Sequence, residues 1–584
     1  MPPPTLDTRD GIVTFTPGTD PQAMQRVSLV FRAGMADETL PTAGTLELLA
    51  LYALEIDPPP CAELSMSLGP YTLSIDVTAP PEDLAGLLAA IIDRLRQPSA
   101  ADLQTMAALM SDDPLHEPTP EVEALLNRYG ADGPGLTAFR GAGLRALRPE
   151  HALALGRRAF VRGNVALASD ARLPADLRVA LPEGPRWPAV EPETSALRYP
   201  VGYPHQSQND IIVTAMVPHG EAADTASRVL TARVTRALRH ELGVVYSPVP
   251  VVMPLAHHDL IGVRTDVPPA HADTVVATIF QVIMDLAGDG PTEEELREDA
   301  VGVRDRLTRD FAGRVLPWVQ AHRFLADEAP PTLAGLRLET LTITPAQVRA
   351  VAREMITTAM MGVPGETLTS VAQLNWESGP NDRRPAGRRF DYRRGVLPTV
   401  NITSPSFVLT GDGVLFHGAA TGVAVPLAEA AAMYAWPDGA RRLIRRDAYS
   451  LVVDPRLIAR GDDLVRQLDL AVPRERVIPQ APRDPADLRV IPGALERLLL
   501  PARPSALAGI AFLLLVLTPL LAVTGQLVSG FFPMMVVTAI LLAAKNIPAS
   551  ASEREPVKGT PRPGAQLTHP AARSGPDDRP SEEA

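Results

Sequence analysis

The sequence predicts an α+β protein with two similar α/β halves, at residues 20–190 and 200–375, and a small antiparallel β domain at residues 403–475. A transmembrane helical hairpin is expected at residues 505–545. The halves are predicted because one order of strand-like and helix-like patterns occurs twice. The β domain is predicted from short apolar runs separated by Asp-Gly turns. The hairpin is predicted from a long apolar stretch near the C-terminus.

The composition is that of a folded, acidic protein. Hydrophobic residues make up 46% of the 584 residues, and the formal net charge is -13. Such a chain lacks the basic footprint of a nucleic-acid-binding protein, so no nucleic-acid partner is expected. The single cysteine, Cys61, excludes a disulfide within the chain and a cysteine-based zinc site.

Each half is expected to run from a strand through a helix and a second strand into a second helix. In the first half these patterns start at Val27, Ala43, Tyr71 and Glu82. In the second half they start at Asp210, Thr225, Asp259 and His271. The matched order indicates a duplication. In the second half, Thr292 and Glu295 also have the spacing of a capping box, which predicts the start of a further helix.

The third segment follows a predicted Arg-rich linker at residues 376–402. Asp412-Gly413 and Asp438-Gly439 predict turns between its short strands. The predicted domain is similar to PH-like domains, and Trp436 to Gly439 is its most distinctive part. Two basic sets could contact anionic lipid, with a solvated surface as the alternative. They are Arg383, Arg384, Arg388, Arg389, Arg393 and Arg394 in the linker, and Arg441, Arg442, Arg445 and Arg446 in the domain.

The apolar stretch carries no charged residue between Ser505 and Lys545. Gly525 and Gly530 predict a turn at its centre, so two short spanning helices are expected, with one span plus an interfacial helix as the alternative. Positive charges flank both ends, which favours the cytoplasmic side for both. The expected localisation is the cell membrane, with the soluble head and a disordered tail at residues 546–584 in the cytoplasm. The N-terminus shows no signal-peptide pattern.

Several motifs of the first 370 or so residues together resemble the M16 peptidase family, of the insulinase and mitochondrial-processing-peptidase type. The matching residues are Arg32-Ala33-Gly34, Glu38, Gly44, Asp112-Asp113-Pro114, Leu238 to Ser247 and Asp289 to Arg297. The resemblance implies two homologous M16-like halves. It also implies an inverted zinc motif, H-x-x-E-H, on the first helix, where two His ligands share a face and the Glu activates water.

The zinc motif is degenerate in this chain. Alignment on Gly44 places its three positions at Glu47, Ala50 and Leu51, and the segment Thr105 to Met110 offers no carboxylate for the family's third ligand. One carboxylate cannot hold a catalytic zinc, which needs three protein ligands. The only histidine cluster, His257-His258 beside Asp259, is expected to point in different directions on a strand. No cofactor and no catalytic residue are therefore predicted.

The second half keeps a pair that the resemblance marks as substrate-binding. Arg239 and Tyr246 have the family's separation and context, where such a pair holds a peptide backbone. The alternative is that Arg239 stabilises a helix C-terminus and Tyr246 begins a strand. In two-subunit members of the family, one chain carries zinc and its partner carries this pair.

The sequence thus predicts a membrane-anchored, non-catalytic M16-like protein. Its expected partners are the lipid bilayer and either a peptide, a catalytic M16 chain or a second copy of itself. One alternative is an active peptidase that holds zinc through unrecognised ligands. Another is a membrane adaptor that acts through the β domain.

Overall fold

The computed structural model describes residues 7–483, apart from gaps at residues 18, 21–22, 112–117, 196, 198, 206–209, 308–312, 365–373, 377–381, 383–385, 393–405 and 419–421. The predicted hairpin at residues 505–545 and the tail at residues 546–584 lie outside the described residues. Within the described ranges, no helix has both the length and the apolar character needed to cross a bilayer.

The first half forms a six-stranded sheet with helices beside it. Its elements are β1 (Asp7–Arg9), β2 (Ile12–Phe15), β3 (Gln25–Phe31), α1 (Thr45–Leu54), β4 (Glu63–Leu68), β5 (Leu73–Ala79), α2 (Pro81–Arg96), α3 (Ala100–Ser111), α4 (Pro120–Tyr129), α5 (Pro149–Ala159) and β6 (Val165–Ser169). The strand order is β1-β2-β6-β3-β5-β4. Only β2 and β6 pair in parallel among these strands.

The second half forms another six-stranded sheet. Its elements are β7 (Val201–His205), β8 (Asp210–Pro218), α6 (Glu221–Val234), β9 (Val249–Pro254), β10 (His258–Asp266), α7 (Ala272–Gly288), α8 (Glu293–Arg306), α9 (Leu316–Leu325), α10 (Leu333–Thr342), α11 (Pro345–Thr358), β11 (Met360–Pro364) and β12 (Asn375–Trp376). A π-helical turn, Thr235–Glu241, continues α6. The predicted capping box is present at the start of α8, where Thr292 and Glu295 bond each other's backbone N–H.

The two sheets share one topology. The second has the order β12-β7-β11-β8-β10-β9, in which β7 to β11 take the places of β2 to β6 in the first. The strands β6 and β11 hold the same place, because β6 pairs in parallel with β2 and antiparallel with β3, and β11 pairs likewise with β7 and β8. The outermost strand differs, because β12 is parallel to β7 whereas β1 is antiparallel to β2. The mixed α+β class predicted from the sequence is confirmed.

Each half contributes one helix to the sheet of the other half. Ala321 and Leu325 of α9 pack against Val30 and Ala168 of the first sheet. In return, Ala124 of α4 packs in one cluster with apolar side chains of β7 and β11. Because this exchange buries apolar surface of both halves at once, it joins them into one compact unit.

The third segment contains two four-stranded sheets and a helix. Its elements are β13 (Arg388–Asp391), β14 (Ser406–Leu409), β15 (Gly413–His417), β16 (Gly422–Pro426), β17 (Ala432–Ala435), β18 (Arg441–Ile444), β19 (Ser450–Val453), α12 (Gly461–Ala471) and β20 (Val477–Pro479). The sheet orders are β13-β14-β15-β16 and β19-β18-β17-β20.

Three features of this segment differ from the prediction. Arg388 and Arg389, expected in the linker at residues 376–402, lie in β13 and pair with β14, so the domain begins earlier. A purely antiparallel domain was expected, yet β20 pairs in parallel with β17. Residues near the end form α12, because Leu464 and Leu468 recur at helical spacing and are buried against the sheets.

The third segment packs against the first half. The backbone N–H of Ala131 donates to the carbonyl of Arg446 at 2.7 Å, and Leu40 and Leu136 join Ile444 in an apolar cluster. Gly130 has a φ of +65°, and a Cβ there would lie 2.1 Å from the Arg446 carbonyl oxygen. The contact therefore requires glycine at this position.

Candidate functional site

The first candidate site is α1, the helix on which the resemblance placed the zinc-motif positions. The Glu38 carboxylate accepts hydrogen bonds from the backbone N–H groups of Gly44 at 2.9 Å and Leu46 at 2.7 Å, so it caps the start of the helix. Burial raises the pKa of Glu38 to about 8 against the opposing effect of these N–H donors, and nearby Glu47 raises it further.

Glu47 of α1 is paired with an arginine. Glu47 is 4% exposed, and its two carboxylate oxygens accept from Nε of Arg140 at 2.9 and 2.8 Å, while Nη2 of Arg140 bonds the same carboxylate. This hydrogen bond raises the pKa of Arg140. Ala50 is fully buried and Leu51 is partly buried on the same helix. The carboxylate of α1 therefore serves an ion pair.

Other metal-ligating candidates do not converge in the described part of the chain. No group of three or more His, Cys, Asp or Glu side chains lies close enough together there to hold a metal ion. His258 faces Glu191 at 3.3 Å, whereas Asp259 pairs with His219 at 2.9 Å, so these neighbours point apart as expected for a strand. Asp112-Asp113-Pro114 lies outside the described residues.

The second candidate site is the pair Arg239 and Tyr246. Arg239 lies in the π-helical turn, and its guanidinium carbon is 5.6 Å from the centre of the Tyr246 ring, within the range of a cation–π contact. Tyr246 is 76% exposed. The structure thus brings the two predicted residues together at the surface. Tyr246 does not begin a strand, because β9 starts at Val249.

Two hydrogen bonds and one buried side chain hold the loop that carries Tyr246 in place. The Asp266 carboxylate accepts from the backbone N–H groups of Tyr246 at 3.2 Å and Ser247 at 3.3 Å, and Val245 is buried. Gly243 supplies a left-handed turn, with a φ of +65°. The loop therefore presents its aromatic ring from an anchored backbone.

The basic strand of the third segment has acidic partners of its own. Arg441 pairs with Asp469 at 2.8 Å, and Arg445 pairs with Asp382 at 2.9 Å and also with Asp447. Arg446 lies 3.3 Å from Asp132. Because these carboxylates offset the positive charge, the strand is a weaker candidate for binding anionic lipid than its sequence indicates.

Comparison with known proteins gives the class of the fold. Residues 211–299 match the family described as "Peptidase M16 inactive domain". This region runs from β8 to the middle of α8 and includes Arg239 and Tyr246. This part of the second half is therefore similar to the M16 inactive domain. No curated protein matches the sequence.

Solved structures extend the likeness to both halves. The peptidase M16 inactive domain from Pseudomonas fluorescens is 14% identical, with a TM-score of 0.53 over 62% of this chain and 98% of that one. A putative M16-like peptidase from Alicyclobacillus acidocaldarius is 16% identical, with a TM-score of 0.49 over 62% and 99% of the two chains. At 14% identity, the comparison with the Pseudomonas fluorescens domain establishes an M16-like fold alone and does not bear on activity.

One residue of the first site escaped the sequence analysis. Arg140 lies 93 positions from Glu47 along the chain, in the segment after a 3-10 turn, Gly133–Phe139. No local motif links two residues at such a separation. An uncompensated acidic residue on an otherwise apolar helix was the only signal that a cation should lie opposite Glu47.

Proposed function

We propose that this chain is a non-catalytic M16-like protein that contacts a peptide backbone through Arg239 and Tyr246, alone or in complex with a catalytic M16-like chain. The observation that carries the proposal is the ion pair between Glu47 and Arg140. Glu47 is the one carboxylate among the three expected zinc-motif positions, and Arg140 engages it. The side chains at the other two positions, Ala50 and Leu51, have no ligand atom. The match of residues 211–299 to an inactive domain supports the same conclusion.

The surface pair is chemically suited to hold a peptide. An exposed guanidinium donates hydrogen bonds to carbonyl oxygens, and an exposed phenol can donate or accept. Leu242 and Val249, which are 50% and 43% exposed, lie on either side of Tyr246 in the sequence and add apolar surface. An anchored aromatic ring beside an arginine has the composition of an interface hot spot.

The apolar stretch at residues 505–545 would hold the head at a membrane in this proposal. Its uncharged length supports two short spans. We expect the full-length chain to remain with membranes after alkaline carbonate washing and to be released by detergent. Release of the full-length chain by carbonate would contradict the anchor and leave the peptide-binding proposal intact.

The non-catalytic assignment is tested by metal and activity together. Purified full-length protein should hold far less than one zinc per chain and should leave casein and peptides uncleaved. Zinc near one equivalent, with peptide cleavage that a chelator abolishes, would overturn the assignment and favour the active peptidase.

Partner binding is tested with matched arginine variants. We expect a detergent pull-down from the source cells to recover a chain with an intact H-x-x-E-H motif, identified by mass spectrometry. Arg239→Ala and Tyr246→Ala should each weaken its recovery about tenfold. Arg236→Ala removes an exposed arginine of the same π-helical turn and should leave recovery unchanged. Equal recovery by all three variants would exclude the pair and favour an adaptor that acts through the third segment.

A further inference from the structure

A cavity of about 570 Å³ lies between the two halves, away from both candidate sites. The turn between β4 and β5 lines it from the first half, and the turn between β9 and β10 lines it from the second. Helix α9 forms the third wall. This volume falls within the range of about 300–1,000 Å³ that small-molecule sites occupy.

Most of the cavity wall is apolar. Tyr71 comes from the first half, Val252 and Leu255 from the second, and Trp318 and Val319 from α9. Trp318 is fixed in orientation, because its indole N–H donates to Ser28 Oγ at 2.7 Å. A rigid aromatic and aliphatic wall of this kind favours the apolar body of a ligand over water.

The polar groups of the cavity are mostly paired with one another. His219 Nδ1 lies 2.9 Å from Asp259, and this contact raises the pKa of the imidazole, while Arg323 lies 3.4 Å from Glu328. Arg32 pairs with Asp37, which does not line the cavity. The positive charges that line the space are therefore offset by carboxylates.

Asp224 is the exception. It lies in the first turn of α6 and lines the cavity, and within the described residues no side chain donates a hydrogen bond to its carboxylate. Burial raises its pKa to about 6, with Glu221 as the next cause. His219 Nε2 is also inaccessible to solvent and has no hydrogen-bond partner among the described residues. The cavity thus holds one unpaired carboxylate beside an apolar wall.

We propose that this cavity binds a small organic ammonium ion, whose charged group pairs with Asp224 and whose apolar body packs against Trp318 and Val319. Charge complementarity carries the assignment, because the cavity's cations are already paired and an anionic ligand would meet the free carboxylate. A neutral ligand would leave that half-buried carboxylate without a hydrogen-bond donor, which an ammonium group supplies. The site is independent of the proposed function, since none of its residues belongs to α1 or to the Arg239–Tyr246 pair.

The test uses calorimetric titration of the full-length protein in detergent with phenethylamine and with 2-phenylethanol, which has the same ring but no charge. We expect the amine to bind at least about tenfold more tightly than the alcohol. Asp224→Asn keeps the shape of the side chain and should abolish that preference. Glu82→Gln, which removes an exposed carboxylate from the first turn of α2, should leave the preference unchanged.

A second variant locates the binding. Val319→Trp fills the cavity from α9 and should abolish the binding of both compounds without removing any charge. The proposal is overturned if neither compound binds the wild-type protein saturably, or if the two bind equally. It is also overturned if Asp224→Asn retains the preference for the amine, or if Val319→Trp binds the amine as the wild type does.

Discussion

The two halves share one strand order, yet their first helices are used differently. In the first half, eight of the ten residues of α1 are buried, and its one carboxylate is held by Arg140. In the second half, α6 continues into a π-helical turn that leaves Arg239 exposed beside Tyr246. The difference shows that a similar strand order fixes where a helix lies, whereas the side chains on the helix and the segments over it fix what the helix can bind.

The halves also differ in the ion pairs between their helices. Arg228 and Arg233 of α6 pair with Asp299 and Glu295 of α8, at 2.7 and 2.8 Å. The corresponding helix of the first half is held mainly by apolar packing within one large cluster. Ion pairs of this kind weaken as their carboxylates become protonated, so the pH dependence of unfolding tests the contribution of the pairs between α6 and α8.

The largest expected effect is on the central strands of the second half. Gly262 of β10 lies opposite Thr214 of β8, and a Cβ on it would fall 1.8 Å from the Val213 carbonyl oxygen. Gly262→Ala should lower the free energy of unfolding by about 3 kcal/mol or more, because the two strands must separate. Urea unfolding measures the change.

The first half offers the matched control for that substitution. Gly86 lies inside α2 with open space where a Cβ would point. Gly86→Ala should therefore raise the free energy of unfolding by about 0.5–1 kcal/mol. If the two variants were equally stable, the close contact of Gly262 with β8 would not limit the stability of the second half.

The next largest effect concerns the ion pair on α1. Arg140→Met removes the guanidinium and leaves the buried Glu47 carboxylate without it, which should cost about 1–3 kcal/mol of stability. The double variant with Glu47→Gln should recover part of this loss, because the unpaired charge is then absent. If Arg140→Met unfolds at the same urea concentration as the wild type, the ion pair does not stabilise the first half.

The halves are also expected to differ in the sign of their pH dependence. The hydrogen bond from Arg233 lowers the pKa of Glu295 from 4.5 to about 2, so its contribution is present above pH 4.5 and is lost as the pH falls towards 2. Burial raises the pKa of Glu38 from 4.5 to about 8, so its contribution is present below pH 4.5 and is lost as the pH rises towards 8.

Urea midpoints measured across pH for single variants test this contrast. Glu295→Gln should flatten the curve on the acid side, and Glu38→Gln should flatten it between pH 4.5 and 8. If Glu38→Gln does not change the urea midpoints between pH 4.5 and 8, the Glu38 carboxylate is stabilised by the N–H groups of Gly44 and Leu46 as well as it would be by water.

The smallest expected effect is at the exposed pair. Tyr246→Ala should change the free energy of unfolding by less than about 0.5 kcal/mol, because the side chain lies mostly in solvent. Thermal unfolding of this variant beside the wild type checks the expectation. A clear loss of stability would show that the ring supports the loop, and would weaken the case for a binding role.

Local patterns were sufficient for much of the fold. The predicted strand starting at Val27 corresponds to β3, and the helical pattern after His271 corresponds to α7. Both carry apolar residues at the period of their element, which is a local property of the chain. The antiparallel β domain predicted at residues 403–475 includes the helix α12, because two buried leucines are too short a periodic signal to recognise alone.

The sequence by itself determined the order of the main strands and helices in each half, the capping box at Thr292, and the lack of imidazoles at Glu47, Ala50 and Leu51, because all three depend on local residue type and spacing. Only the tertiary structure decided that Arg140 neutralises Glu47, that each half covers the sheet of the other, and that Asp224 faces a cavity without a partner. These contacts join residues far apart in the chain. Burial and charge pairing at such separations leave no periodic trace in a single sequence.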